Sequence, residues 1–308
     1  MRTSLRLLVT AAALIAVALP NVAGCSRDPG PPAADPAACP DGRIRFGVEP
    51  YETAPDLLPA FQAIAKQLED RLGCKVDLTI TTTYNAEIEA MRAGKLEVGQ
   101  FGAQGYIFAR ELAKAKVVAT YADETGKPAT YFASIVTHVK SGLTGDLHAC
   151  KGKQMAYSEA SSTSGYLYPA YAFKAAGIDP KSDVKAVFTG GHTQAYEAVR
   201  ANKVECAELN SERIDAARDA GQYNEADFIT LWKSPPIYSD LIAVRGDLTP
   251  ELQKKITDAF LGLDFSKLDA KAQDVMLGKS LVPAEDGNYQ VVADLIKTMG
   301  IDVKSLDQ

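Results

Sequence analysis

A hydroxyl-rich turn in the middle of the chain has the clearest chemical character. Ser162-Thr163-Ser164 is closed by Gly165, and an apolar, strand-like run, Gln154–Tyr157, precedes it. A helical pattern follows the glycine. The first N–H groups of a helix lack partners within the helix, and its dipole favours negative charge at that end. Because hydroxyls add further neutral donors, we expect an oxyanion to bind at this turn.

The same turn has a simpler interpretation. Ser162 or Thr163 could do no more than cap the helix that follows, since serine and threonine are preferred at that position. A single hydroxyl would favour this structural role. Three hydroxyls in succession, with no acid beside them, favour the anion site.

Five other side chains follow predicted strands, where ligands bind in α/β sheets. They are Tyr84, Phe101, His192, Glu212 and Asp240. Each also has a structural alternative. Tyr84 could be an aromatic that packs against a helix start, and Phe101 could be a core residue. His192 could be a turn residue after two glycines, Glu212 an acid favoured at a helix N-terminus, and Asp240 a cap. The functional interpretation depends on the strand-end position that all five share.

The elements that would hold these residues alternate between strand and helix. Arg43–Val48 reads as a strand, a helical repeat of apolar residues follows, and the alternation continues to Tyr121. A second alternating set runs from Gln154 to Trp232, and the tail from Thr249 is predicted to be helical. This order predicts an α/β protein with mainly parallel sheets.

Two extended segments connect the two sets, near 131–139 and 236–246. Two crossings predict a hinged protein in which lobe 1 comprises residues 41–135 and 241–308, and lobe 2 comprises residues 136–240. A cleft would then lie between the lobes. The alternative, a single doubly wound domain, would need one larger sheet.

The N-terminus has the pattern of an export signal. Arg2 and Arg6 precede an apolar run from Leu7 to Leu19, which is short for a bilayer span, and small residues then lead to Cys25. We predict a signal peptide over 1–24, a lipid-modified Cys25 that resembles a bacterial lipobox, and a linker over 25–40. The alternative is an ordinary signal peptide followed by an incidental cysteine.

Charge and cysteine content narrow the functional class. The formal net charge is −6, and loss of residues 1–24 would remove two arginines and no acid, so nucleic acid and anionic membrane surfaces are poor partners. Apart from Cys25 there are four cysteines, an even number that suits an oxidising compartment. We predict the pairs Cys39–Cys74, which precede two adjacent strands, and Cys150–Cys206. The cysteine spacings do not match a zinc site.

Three segments together resemble a known family. They are STSGYLYP at 162–169, GGH at 190–192 and WKSPPI at 232–237. They are similar to the phosphate-, phosphite- and phosphonate-binding proteins of ABC importers, and the likeness runs from about Arg43 into the C-terminal helices. The resemblance implies a type II periplasmic-binding-protein fold with a two-strand hinge. It also implies a permease and its ATPase as partners, no metal or cofactor and no enzymatic activity. We expect a monomer, which the lipid-modified Cys25 would hold outside the cytoplasmic membrane.

The resemblance also implies a ligand set. Phosphonate oxygens would be held by Tyr84, Ser162, Thr163, Ser164 and His192. In members that bind aminoalkylphosphonates, acids at the positions of Glu212 and Asp240 hold the ammonium group, so 2-aminoethylphosphonate is the expected ligand. Phosphite, methylphosphonate and phosphate are the alternatives. Three departures from the family pattern bear on the ligand's identity. Phe101, which we expect in the pocket wall, stands where relatives that bind aminoethylphosphonate carry a tyrosine. Thr193 stands where an acid is common, and Ser239-Asp240-Leu241 replaces Asp-Pro.

A remote alternative is an exported serine hydrolase. Ser164, His192 and Asp240 could act as nucleophile, base and orienting acid. The sequence lacks the G-x-S-x-G turn typical of such enzymes, and it also lacks H-E-x-x-H, C-x-x-C and Walker motifs. The binding protein is therefore the favoured hypothesis.

Overall fold

The computed structural model describes residue 35 and residues 37–304. The predicted signal peptide and Cys25 lie outside the described residues. Within the described part, no helix is both long and apolar enough to cross a membrane.

The described strands and helices have the following bounds. The strands are β1 Arg43–Val48, β2 Lys75–Ile80, β3 Val98–Phe101, β4 Lys116–Ala122, β5 Thr130–Tyr131, β6 Ala133–His138, β7 Gln154–Tyr157, β8 Lys185–Phe188, β9 Cys206–Asn210, β10 Phe228–Lys233, β11 Ile237–Tyr238, β12 Leu241–Val244 and β13 Ser280–Pro283. The helices are α1 Ala54–Leu72, α2 Tyr84–Arg92, α3 Ala103–Ala113, α4 Tyr168–Ala175, α5 His192–Arg200, α6 Ser211–Asp219, α7 Pro250–Leu261, α8 Ala270–Asp274 and α9 Gln290–Met299.

Two sheets form the centres of the two lobes. The sheet of lobe 1 has the order β13-β4-β12-β3-β1-β2, and that of lobe 2 has the order β10-β6-β9-β7-β8. Between them, β5 and β11 pair as a short antiparallel ribbon. The chain passes from lobe 1 to lobe 2 through β5 and returns through β11, so this ribbon is the predicted two-strand hinge.

Helix α1 shows how the sequence pattern produces the lobe 1 core. Its apolar residues recur at helical spacing, and the structure buries that stripe, from Leu57 to Leu72, against the sheet. The helix ends at Gly73, whose φ of 68° is left-handed and suits glycine. Both predicted disulfides are present, Cys39–Cys74 in lobe 1 and Cys150–Cys206 in lobe 2.

The prediction of mainly parallel sheets is wrong. In lobe 1, β1 pairs in parallel with β2 and β3, but β12 lies antiparallel to both β3 and β4. In lobe 2, β6 is antiparallel to β9 and β10. In lobe 1 the reason is the return crossing, which brings β12 into the first sheet from the opposite direction.

The prediction of a purely helical tail is also incomplete. Besides its three helices, the tail contains the strand β13, which pairs antiparallel with β4 at the sheet edge. Its four residues, Ser-Leu-Val-Pro, are too few to show a periodic pattern. The division into lobes by residue number, 41–135 with 241–308 and 136–240, remains a proposal. If each strand were assigned to a lobe by the sheet to which it belongs, the first boundary between the lobes would lie just before Ala133.

Candidate ligand-binding cleft

A cavity of about 890 Å³ lies between the two lobes. Its lining includes seven of the eight ligand-binding residues expected from the sequence. They are Tyr84, Ser162, Thr163, Ser164, His192, Glu212 and Asp240. Residues from both lobes therefore meet around one space, as the strand-end argument requires.

Phe101 is the exception. Its ring is fully buried, belongs to the apolar core of lobe 1, and packs against Gly99 and Gly105. It is not among the residues that line the cavity. The expectation that Phe101 forms the pocket wall therefore fails, because an unsubstituted phenyl ring at this position is more stable inside the core.

The hydroxyl-rich turn is wound as a short π-helical segment, Thr163–Leu167, in front of α4. Ser162 Oγ caps it by accepting a hydrogen bond of 3.1 Å from the Gly165 N–H. A Cβ on Gly165 would lie 1.7 Å from Ser158 Oγ, so only glycine fits here. Capping uses a lone pair of the Ser162 hydroxyl and leaves its proton for a ligand. The capping role and the anion-binding role are thus compatible.

Helix α3 of lobe 1 contacts this turn directly. The Gln104 N–H donates to Thr163 Oγ1 at 2.8 Å, and Gln104 Nε2 donates to the Ala160 carbonyl at 3.2 Å. Ser161 Oγ also donates to the Asn85 side chain. These bonds fix the turn against the N-terminal ends of α2 and α3, so its hydroxyls face the cleft in a defined position.

His192 begins α5 and is a buried cation. Its Nδ1 is 2.7 Å from Glu208 Oε1, on the neighbouring strand β9. Burial alone would lower the pKa of His192, but the Glu208 carboxylate outweighs this effect and the pKa rises to about 9. The ring is therefore protonated at neutral pH, and Nε2 remains as a charged donor. We name Tyr84, Ser162, Thr163, Ser164 and His192 the oxyanion cradle.

Two acids line the same cavity, and we name Glu212 and Asp240 the acid pair. Burial raises the pKa of Asp240 to about 6, although His192 and a hydrogen bond from Gln100 Nε2 oppose the shift. Burial and the charge of Asp240 raise the pKa of Glu212 to about 8. At neutral pH, Asp240 is thus mostly ionised, whereas the partly buried Glu212 is mostly protonated until a cation approaches.

Gly102 shows how near the acids come to the cradle. A Cβ on this residue would lie 3.5 Å from both Asp240 Oδ1 and Thr163 Oγ1, so these two oxygens are within about 7 Å of each other. The Gly102 N–H donates to the buried Glu49 at 2.8 Å. Burial, with the charges of Glu87 and Asp240, raises the pKa of Glu49 well above its usual range.

The proposed hydrolase arrangement is not formed. It requires a hydrogen bond between His192 and Asp240, but the carboxylate that orients the imidazole is Glu208. Asp240 is instead bonded to Gln100. In the described part of the chain, no group of three or more His, Cys, Asp or Glu side chains is arranged to hold a metal ion.

A family model described as "ABC transporter, phosphonate, periplasmic substrate-binding protein" matches residues 46–289, most of the chain. The chain belongs to this family. As a member of the family it is similar to the phosphonates-binding periplasmic protein of Escherichia coli, with 28% identity over 71% of this chain and 65% of that protein. That alignment spans slightly less than two thirds of the relative's length.

Two further comparisons extend the likeness. The phosphate-import protein PhnD of Mycolicibacterium smegmatis is 26% identical over 82% of this chain and 80% of its own. The solved structure of PhnD1 from Prochlorococcus marinus in complex with methylphosphonate has a TM-score of 0.74 and 19% identity, covering 85% of this chain and 99% of that one. These similarities confirm the two-lobe binding-protein fold.

Some cavity residues were not expected from the sequence. Tyr131 lies in the hinge ribbon and lines the cavity. Glu208 supports His192 from within a buried strand, and an acid amid the apolar residues of β9 was the signal that could have shown it. Glu52 and Arg213 also line the cavity. They carry no comparable sequence signal, because their pairing depends on the closure of the two lobes.

Proposed function

We propose that this protein is the extracytoplasmic solute-binding component of an ABC importer and captures an aminoalkylphosphonate, with 2-aminoethylphosphonate as the first candidate. One observation carries the proposal: the oxyanion cradle and the acid pair line the same cavity. The cradle suits the three oxygens of a phosphonate, and the acids suit an ammonium group a short distance away.

Electrostatics favours a zwitterion over a bare anion. An ammonium group beside the ionised Asp240 gains an attraction of about 4 kcal/mol for a close pair near a protein surface, whereas a bare dianion would be repelled there. Because the pKa of Glu212 is about 8, binding of the ammonium group at neutral pH would drive a proton off this carboxyl. Proton release is therefore a signature of the proposed contact.

A second candidate is a ligand without an amine, namely phosphite, methylphosphonate or phosphate. The observation that favours it is the protonated state of Glu212 at neutral pH, since a protonated carboxyl can donate a hydrogen bond to an additional oxygen. One relative is named for phosphate import, and another was solved with methylphosphonate. Under this alternative the acid pair would keep its proton on binding.

Calorimetric titration tests the two candidates directly. The chain without residues 1–25 would be titrated with 2-aminoethylphosphonate, methylphosphonate, phosphite and phosphate, in two buffers of different ionisation enthalpy. We expect tight binding of the amine with proton release and weak binding of the others. Equal affinity for methylphosphonate, or no proton release, would favour the second candidate. Failure of all four to bind would refute the proposed ligand class.

The cellular setting is also a proposal. We infer that Cys25 carries a lipid that holds a monomeric protein outside the cytoplasmic membrane, where it delivers ligand to a permease and its ATPase. Labelling of cells with an alkyne fatty acid should tag the wild type and not Cys25→Ser. The variant should also be released from the membrane fraction. Equal labelling of the two proteins would refute the lipid anchor.

A further inference from the structure

Three polar side chains meet across the cleft without belonging to the cradle or the acid pair. Glu52 lies in lobe 1 between β1 and α1, while Thr193 and Arg213 lie in the first turns of α5 and α6 in lobe 2. Thr193 Oγ1 donates to Glu52 Oε2. Arg213 Nη1 donates to Glu52 Oε1 at 3.2 Å and to Thr193 Oγ1 at 3.1 Å. We name these three residues the cleft latch.

The latch is more enclosed than an ordinary surface ion pair. The side chains of Arg213 and Glu52 are only 14% and 16% exposed. The Arg213 guanidinium also lies 6.0 Å from the centre of the Tyr196 ring, which limits its movement. Partly buried pairs are screened by salt much less than exposed pairs, so this contact keeps its strength in solution.

Each latch residue of lobe 2 is adjacent in sequence to a ligand-facing residue. Thr193 follows His192 on α5, and Arg213 follows Glu212 on α6. A ligand that draws His192 and Glu212 inwards therefore brings Thr193 and Arg213 towards Glu52. The charge of Glu52 also helps to raise the pKa of His192, so closing the latch helps to keep this side chain protonated.

The latch is not self-sufficient. Arg213 Nε is buried and has no hydrogen-bond partner within the described residues. A buried donor left unpaired costs free energy, which offsets part of the gain from the ion pair. The latch by itself thus closes the ligand-free protein only part of the time, and ligand contacts complete the closure.

We propose that Glu52, Thr193 and Arg213 hold the lobes closed over the ligand and so set the rate at which the ligand leaves. They are positioning residues, since the ligand itself is held by the cradle. The test by release rate rests on the proposed ligand class, whereas the closure of the ligand-free protein can be measured whichever ligand binds.

The test compares Arg213→Gln and Glu52→Gln with a matched control, Arg218→Gln. Arg218 lies on the same helix but pairs with Asp215 and Glu225 inside lobe 2. Stopped-flow measurement with 2-aminoethylphosphonate would give the association and release rates. X-ray scattering would give the radius of gyration without ligand.

For the two latch variants we expect release to become about tenfold faster, which corresponds to 1.4 kcal/mol, with association changed less than twofold. Their ligand-free radius should exceed that of the wild type, and Arg213→Lys should restore part of the closure. The double variant should be no faster than either single one, because both remove one contact. The control should match the wild type.

Wild-type release rates and radii in both latch variants would overturn the proposal. If none of the tested ligands binds, the ligand assignment fails, but the ligand-free radii still decide whether the latch closes the cleft. In that case, equal radii of the ligand-free wild type and the latch variants would be enough to overturn the proposal.

Discussion

The two ends of the cleft are built on different principles. The oxyanion cradle takes three of its four hydroxyls from one short turn, which is capped by its own Ser162 and held by backbone hydrogen bonds. The acid pair comes from two distant segments, the start of α6 and the residue before β12. Asp240 is buried and Glu212 is partly buried, and among the described residues no cation is bonded to either carboxyl. The turn presents its hydroxyls side by side, whereas in the proposed function an ammonium group of the ligand would complete the acid pair.

This difference divides recognition into two tasks. The cradle, with its cationic His192, suits any phosphonate-like anion whatever its substituent. In the proposed function the acid pair would respond only to the substituent, because burial raises the pKa of both acids and a nearby positive charge would lower it. Changes in the cradle should therefore affect all ligands equally, and changes in the acid pair should affect only amines.

Gly165→Ala should produce the largest effect and remove the cradle for every ligand. A methyl group there would collide with Ser158 and unwind the turn. We expect at least about a hundredfold loss of affinity, because several charge-assisted bonds worth about 1.5–3 kcal/mol each depend on the turn. Gly287→Ala is the control, since nothing lies within 4 Å of the added methyl. Retained affinity in Gly165→Ala, measured by calorimetry, would contradict this account of the turn.

His192→Gln should come next and should also act on all ligands. Loss of a charged donor worth about 1.5–3 kcal/mol predicts a fall in affinity of about 10- to 150-fold. Glu208→Gln would be combined with it to avoid leaving a buried carboxylate unpaired. His148→Gln, an exposed histidine with a surface partner, is the control. A loss confined to the amine ligand would mean that His192 does not contact the anion.

Asp240→Asn should separate the two ends. We expect about a tenfold loss for 2-aminoethylphosphonate, from one charge-assisted contact, and little change or a gain for methylphosphonate. Here the second ligand serves as the control for folding and for the cradle. Parallel losses for both ligands would place Asp240 among the structural supports of the cradle.

The pH dependence should give the smallest effect and a definite sign. Ammonium binding needs ionised Glu212, whose pKa in the ligand-free protein is about 8, so affinity for the amine should rise about fivefold between pH 7 and pH 8. The Glu212→Gln variant shares the titrations of the ligand and of His192, so the ratio of the wild-type and variant affinities for the amine isolates Glu212. Above pH 9, loss of the His192 proton should weaken both ligands. A flat ratio would remove Glu212 from the amine site.

The sequence was sufficient for features that local patterns encode. The Ser162–Gly165 turn, the helical face of α1 and the two disulfides were predicted, because each depends on near neighbours or on simple strand order. The position of the antiparallel strand β12 was not predicted, since it depends on the return crossing. The roles of Glu208 and Glu52 were also missed, because their partners lie on other elements.

Phe101 shows where a pattern misleads. Its strand-end position was the same as that of the true cavity residues, but side chains alternate between the faces of a strand and continue into the loop at different angles. The ring turned towards the core of lobe 1 and away from the ligand space. Sequence position therefore identifies the edge of the sheet, and only packing decides which side chains reach the cavity.

The two disulfides restrain the two lobes separately. Cys39–Cys74 ties the beginnings of β1 and β2, and Cys150–Cys206 ties the segment before β7 to β9. Each bridge restrains the unfolded chain of one lobe, and neither crosses the cleft. The disulfides therefore restrain each lobe separately, and neither of them restrains the ribbon of β5 and β11 between the lobes.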